Sequence, residues 1–347
     1  MTVLINRILI VGLGSMGLKH LKIARKLFPN AQILVLRHRQ TEIIPDYADQ
    51  CISSIDEAIF FAPQIAIICN PAVYHLSIAQ ELALIGTHLF IEKPLSYSSE
   101  GVNQLIETCR RKKVILMTGY NLRKKPSLIY FRNLLKDKKI GEILSFRSEV
   151  GQYLPSWRPE SDYRVGVSAR KNLGGGVLLE LSHELDYLRW IFGDVDWVRA
   201  TLSKQSSLEI DVEDSAHMTL GISSKRANHE LIGTLNMDLI RHDYTRICTA
   251  IGSKGSLKWN GDKGEVSLFD ESTKNWSVLF SPDSSEDETY EAEWQELTNC
   301  VMTGNFSTVS GEDGLRVLEI IEAARASAPT GMQVSVSKIP NSDLMRT

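Results

Sequence analysis

A glycine-rich turn between an apolar strand and an amphipathic helix constrains this chain more than any other feature. Arg7-Ile8-Leu9-Ile10-Val11 runs into Gly12-Leu13-Gly14-Ser15-Met16-Gly17, after which Leu18, Leu21, Ile23, Ala24 and Leu27 follow a helical period. The three glycines have separate tasks. The first makes the turn, the second lets the main chain approach a pyrophosphate, and the third lets the helix lie close to the strand. Amides at the start of the helix then face the phosphate anion. Gly12, Gly14, Ser15, Met16 and Gly17 are therefore assigned to a dinucleotide.

A second strand spans 31–36 and ends in Leu36-Arg37-His38-Arg39, about 20 residues past the last glycine. An acidic residue at this point would accept from the ribose 2′-hydroxyl of NAD, whereas arginine suits a 2′-phosphate. Arg37, His38 and Arg39 thus select NADP as the preferred cofactor, with NAD as the alternative.

The pattern then alternates. A helix over 55–61 precedes an apolar strand over 65–69, which Asn70-Pro71 closes; His75 opens the next helix. His88-Leu89-Phe90-Ile91 reads as a buried strand and runs into Glu92-Lys93-Pro94. Proline cannot donate to a sheet ladder, so the strand stops there. Lys93 is left at the carboxyl end of an interior strand, where open α/β sheets place their ligands. A helix over 102–110 and a strand over 114–117 complete a parallel, doubly wound sheet.

At 347 residues the chain exceeds one ordinary core, so two domains are expected. We expect the dinucleotide-binding Rossmann domain over 1–122 and a substrate-binding α/β domain with an open, mainly antiparallel sheet over 123–347. In the second part, positions such as Leu231, Gly233, Leu235 and Met237 alternate with polar neighbours, the period of half-buried strands. Residues 252–280 read as hairpins. The six carboxylates of 283–293 read as a solvated loop leading to a helix at Trp294, and 311–326 as the last helix.

The bulk properties exclude several functions. A formal net charge of -3 without a long basic run argues against a nucleic-acid surface. No apolar stretch approaches the roughly 20 residues of a membrane span, and the first apolar run leads into the glycine turn, not a signal-peptide cleavage site. The five cysteines lack close pairing or metal-ligand spacing. These observations favour a cytoplasmic protein with no membrane, nucleic-acid or metal partner.

Two stretches of the second part carry chemistry. The first holds Tyr153, Trp157, Arg158, Tyr163 and Arg164, with Arg170 shortly after. Rings suit the apolar face of a sugar and guanidinium groups suit carboxylate or phosphate. The second passes Gly174-Gly175-Gly176 and enters an expected helix over 177–187. There Glu180 and His183 would share a face, and Asp186 could hold the imidazole in one tautomer. A histidine that takes a hydroxyl proton as hydride leaves is what alcohol oxidation requires.

The order and spacing of GxGxxG, Asn70-Pro71 with His75, Glu92-Lys93-Pro94 and Gly119-Tyr120-Asn121-Leu122-Arg123 resembles the glucose–fructose oxidoreductase / inositol dehydrogenase / MocA (Gfo/Idh/MocA) family. The resemblance implies that Lys93 lies beside the nicotinamide and the reacting carbinol, and that Asn70, Pro71, Glu92 and Asn121 border the cofactor. His75 joins that cofactor set, and Arg123 the substrate set. Family members carry Asp-x-x-x-His on the later helix. Here His183-x-x-Asp186 matches, but the preceding acid is Glu180 at one residue shorter spacing. The implied catalytic set is Lys93, His183 and Glu180, in a homodimer or homotetramer acting on a secondary alcohol or ketone of a sugar. The arginines point to an anionic or nucleotide-activated sugar. Alternatives are a cofactor-retaining lyase or glycosidase using transient oxidation, a non-catalytic NAD(P)-binding module, and a reductase of a non-sugar substrate.

Overall fold

The computed structural model describes residues 4–38, 43–222, 230–281 and 287–336. The first half follows the alternation read from the sequence. Its order is β1 (Arg7–Val11), α1 (Ser15–Leu27), β2 (Gln32–Leu36), β3 (Gln50–Ile52), α2 (Ile55–Phe61), β4 (Ile65–Ile68), α3 (His75–Leu84), β5 (His88–Glu92), α4 (Val102–Lys112) and β6 (Leu116–Gly119). Next come α5 (Pro126–Lys136), β7 (Ile143–Gly151), α6 (Val177–Glu180), α7 (His183–Phe192), β8 (Val195–Ser203), β9 (Ser215–Ile222) and β10 (Leu231–Asp238). The hairpin strands β11 (Thr245–Gly252), β12 (Gly255–Asn260), β13 (Glu265–Asp270) and β14 (Asn275–Phe280) follow, then α8 (Asp287–Thr303), α9 (Gly311–Ser327) and β15 (Val334–Ser335).

The chain divides into two compact units. One comprises Met1–Lys124, Asn172–Gly174 and Ser284–Leu318; the other comprises Lys125–Lys171, Gly175–Asp283 and Glu319–Thr347.

In the first unit six strands form one sheet in the order β3-β2-β1-β4-β5-β6, every pair parallel. All four residues of β4 are buried, as are four of five in β1, the continuous apolar run of a sheet covered on both faces. Local chemistry sets the helix ends. Ser54 and Glu57 cap the start of α2 with a reciprocal capping box, and Arg25 and Lys26 sit in the last turn of α1, where cations favour the helix dipole. Ile8, Ile10, Ile33, Ile65 and Phe90 pack with Leu21 and Ala24 of α1. Each such side chain contributes about 1.5–3 kcal/mol through burial.

One expectation is corrected here. Of the stretch 283–293, residues 287–293 belong to α8, which starts at Asp287, and are no solvated loop, while 283–286 lie outside the described residues. Trp294, Leu297 and Val301 recur at helical spacing and bury against the first sheet's core. Glu293 lies on the buried side with them, while Glu288 faces solvent. Glu288, Glu291 and Glu293 are thus distributed around a helix, a periodicity that the density of carboxylates conceals in the sequence.

The second unit is built on nine strands in the order β14-β13-β12-β11-β7-β10-β9-β8-β15. Only β7 and β10 pair in parallel; the other pairs are antiparallel. Burial alternates along β10 with the expected two-residue period. Phe146 of β7 stacks on Phe192 of α7 at 4.4 Å, and Tyr187 of α7 meets Trp259 of β12 edge-on at 5.3 Å. Those rings seat α7 on the sheet. Among the described residues no helix is long and apolar enough to cross a membrane.

Candidate active site

The glycine turn sits where the strand order of the first sheet reverses. Gly12 follows β1 with φ +84°, a region open to glycine. A Cβ there would stand 2.9 Å from the main-chain nitrogen of Asn70, at the end of β4. A Cβ on Gly17 would meet the Gly12 carbonyl at 2.1 Å, whereas Gly14 faces open space with no atom within 4 Å. Ser15 and Met16 begin α1, which has neither a side-chain cap nor an acid in its first turn. Its leading amides are therefore left for an anion. The Asn70 Oδ1 is buried without a hydrogen-bond partner, an acceptor that a bound group would satisfy. The residues present fit a dinucleotide, and Gly12, Gly14, Gly17 and Asn70 would hold it.

Arg37 lies just beyond β2, half-buried, with its amide donating to Ile52 O at 3.0 Å. Its guanidinium has no hydrogen-bond or ion-pair partner among the described residues. His38 is exposed, and Arg39 lies outside the described residues.

The end of β5 is held from two sides. Glu92, itself buried, receives the Lys93 amide on Oε2 at 3.1 Å. His75, 1% exposed, contacts the Pro94 carbonyl through Nδ1 at 3.1 Å and the Asn70 carbonyl through Nε2 at 2.6 Å. Burial pushes the His75 imidazole below its ordinary pKa, although both carbonyls oppose that shift. This geometry revises the cofactor assignment of His75. Its two ring nitrogens face main-chain oxygens of the Asn70-Pro71 turn and of the turn after Lys93, and the neutral ring has one N–H to donate between them. Pro71 precedes the short 3-10 turn that leads into α3.

Two further residues have fixed partners. Asn121 donates through Nδ2 to Thr289 Oγ1 at 3.0 Å. Arg123, expected to face substrate, is corrected to a structural tie. Its guanidinium is buried, pairs with Asp313 at 3.2 Å and donates to the Thr308 carbonyl at 2.9 Å. A guanidinium so placed has little capacity left for an incoming anion.

In the second unit the expected helix over 177–187 is broken. The first piece, α6, ends at Glu180, Leu181 and Ser182 form a turn, and α7 begins at His183. Glu180 and His183 therefore do not share one helix face, contrary to the expectation from their spacing. His183 and Asp186 both belong to α7, where Asp186 is fully buried and His183 half-buried. Beside them Glu184 is fully buried against Arg246 at 2.9 Å; burial pushes its carboxyl up while the arginine works against that shift.

The segment 153–170 is tied both within itself and to residues outside it. Tyr153 packs on His242 at 4.1 Å, and Trp157 donates to the Gln152 carbonyl at 3.2 Å. Tyr163 accepts from the Glu209 amide at 3.3 Å. Arg164 forks onto Asp162 at 2.9 Å and reaches Glu209 at 3.3 Å, while Arg170 lies 3.8 Å from Asp211. Arg158 has no such partner among the described residues. Trp157, Arg158 and Tyr163 line a cavity of about 40 Å³.

Sequence reading passed over two residues of the first unit. His20 and Trp294 are both buried, with His20 against Glu92 and Trp294 against His20. The available signal was a polar residue on the Gly17-Leu21-Ala24 face of α1.

Two family models match the chain. One, described as an oxidoreductase family with an NAD-binding Rossmann fold, covers residues 6–120. The other, the C-terminal alpha/beta domain of that oxidoreductase family, covers 132–336. The uncharacterized oxidoreductase YrbE of Bacillus subtilis is 26% identical over 343 residues, 94% of this chain and 95% of that protein. Inositol 2-dehydrogenase of Rhizobium meliloti is 23% identical over 276 residues, 78% of this chain and 80% of that protein. Among solved structures, levoglucosan dehydrogenase in complex with NADH and levoglucosan superposes with a TM-score of 0.83 at 20% identity. That alignment covers 96% of this chain and 100% of the other.

Proposed function

Because the chain belongs to the Gfo/Idh/MocA oxidoreductase family, we propose that it is a dehydrogenase or reductase of a sugar-type CH–OH group. NADP is the proposed cofactor. The observation that carries this reading is the anchorage of the main chain at Lys93, where buried Glu92 accepts from its amide and the His75 ring packs against the Pro94 carbonyl. Such anchorage restricts where an amine can be delivered, and misplacement of a reacting group by about 1 Å can cost 10²-fold in rate.

When bound, the nicotinamide exchanges a hydride with the reacting carbon. Lys93 holds or protonates the oxygen on that carbon, and His183 relays the oxygen's proton. Arg37 supplies charge for a 2′-phosphate. The proposed substrate is an anionic or nucleotide-activated sugar, stacked on Trp157 and Tyr163 and read by Arg158. Arg164 and Arg170 could be recruited, because exposed ion pairs such as theirs hold only about 0–1 kcal/mol.

A panel of matched sugars with and without an acidic group, followed by absorbance of reduced nicotinamide, tests this reading. Stoichiometric NADPH formation with the acidic members is expected. Turnover of substrate with no net change in cofactor would overturn the dehydrogenase assignment. Equal specificity constants within each matched pair would remove the anionic substrate.

A further inference from the structure

His20 has no role in the reading above, yet its environment is fully specified. The ring is buried, with Trp294 Nε1 at 2.9 Å from Nδ1 and Glu92 Oε1 at 2.9 Å from Nε2. An indole nitrogen can only donate. Nδ1 must therefore present its lone pair, which puts the ring hydrogen on Nε2, aimed at the carboxylate. Phe90 at 5.1 Å and Tyr290 at 6.0 Å wall the ring on other sides. The second oxygen of Glu92 accepts from the Lys93 amide. Room for it depends on Gly119, where a Cβ would stand 3.1 Å from Oε2.

We propose that Trp294 and His20 are positioning residues that hold the Glu92 carboxylate, and through it the main chain of Lys93, in one orientation. The proposal rests on the reading of Lys93 as the group that works on the substrate oxygen. The composition of the relay favours this over simple packing. An apolar trio of similar volume would avoid the desolvation cost of a buried carboxylate and is often as stable or more so. What it could not supply is direction: each hydrogen bond here has one permitted donor and one permitted acceptor. Trp294 comes from α8, 274 positions away in sequence, so the placement of α8 is read out at Lys93.

The test uses His20→Leu, which fills the space without a donor, His20→Gln, which keeps an N–H near the Nε2 position, and Trp294→Phe, which removes the indole donor. His20→Leu is expected to lower kcat about 10- to 100-fold, with KM and NADPH affinity within a few-fold, and His20→Gln to recover most of it. Adding His20→Leu to Lys93→Met should cost nothing further, because residues acting as one unit are not additive. Imidazole ¹⁵N NMR of the wild-type protein without ligand should show a single Nε2–H tautomer for His20, lost in Trp294→Phe. A folded His20→Leu protein with unchanged kcat, or an Nδ1–H tautomer in the wild type, would overturn the relay. The two readings fail separately. Full activity in Lys93→Met sinks the role of Lys93, whereas an inactive Lys93→Met beside a fully active His20→Leu sinks only the relay.

Discussion

The turn at Lys93 and the segment 153–170 both concentrate charged side chains, and they are held in opposite ways. At Lys93 the tethering groups are Glu92, His20, His75 and Trp294, all buried. In 153–170 the tethers are ion pairs open to water: Arg164 and Asp162 keep 48% and 43% of their side-chain surface. Removing one partner of a buried hydrogen bond costs about 1–3 kcal/mol, while an exposed pair contributes about 0–1 kcal/mol. The first region is suited to holding a reacting group still. The second is suited to exchanging a carboxylate partner for a substrate anion.

The comparison breaks most sharply if Lys93 is dispensable. Lys93→Met should lower kcat by about 10² to 10⁴ while NADPH affinity, read by fluorescence titration, changes only a few-fold. His183→Ala should lower kcat by about 10²-fold with little change in KM; a folded variant with normal kcat returns His183 to a structural role. Arg37→Asp should shift the NADP-to-NAD preference by about ten- to a hundred-fold, as expected for one charge-assisted hydrogen bond. Paired cofactor titrations measure it, and tighter NAD than NADP binding by the wild type would defeat the idea outright.

Smaller effects sharpen the contrast. Arg158→Ala should raise KM for an acidic sugar about ten-fold, and Arg164→Ala only a few-fold, with Tm nearly unchanged in both. A Tm drop in Arg164→Ala as large as that in a core variant would show that the exposed pairs are structural after all. The smallest signal is expected at His75. Its folded-state pKa lies below the ordinary imidazole value, so the unfolded chain takes up the proton first as pH falls. The contribution is therefore fully present above about pH 6.5 and declines as pH drops towards the folded pKa. Subtracting the Tm-against-pH curve of His75→Gln from that of the wild type should leave a decline over that window, and a difference that stays flat below about pH 6.5 would sink it.

The sequence by itself determined the features that rest on short-range backbone chemistry. Gly12 and Gly17 announce a turn that other residues cannot make, Pro94 ends a strand because it lacks an N–H, and apolar runs such as 65–68 require a sheet covered on both faces. These fixed the Rossmann half, its glycine turn and the position of Lys93 at the end of β5. Strand periodicity similarly announced the second sheet. Only the tertiary structure decided what the polar side chains do. It gave Arg123 to Asp313 and turned both nitrogens of His75 onto main-chain oxygens. It also broke the helix before His183 and joined Trp294 to His20. The physical reason is that a polar side chain takes its meaning from its partner. Those partners lie up to 274 positions away, at distances that local propensity and periodicity do not encode.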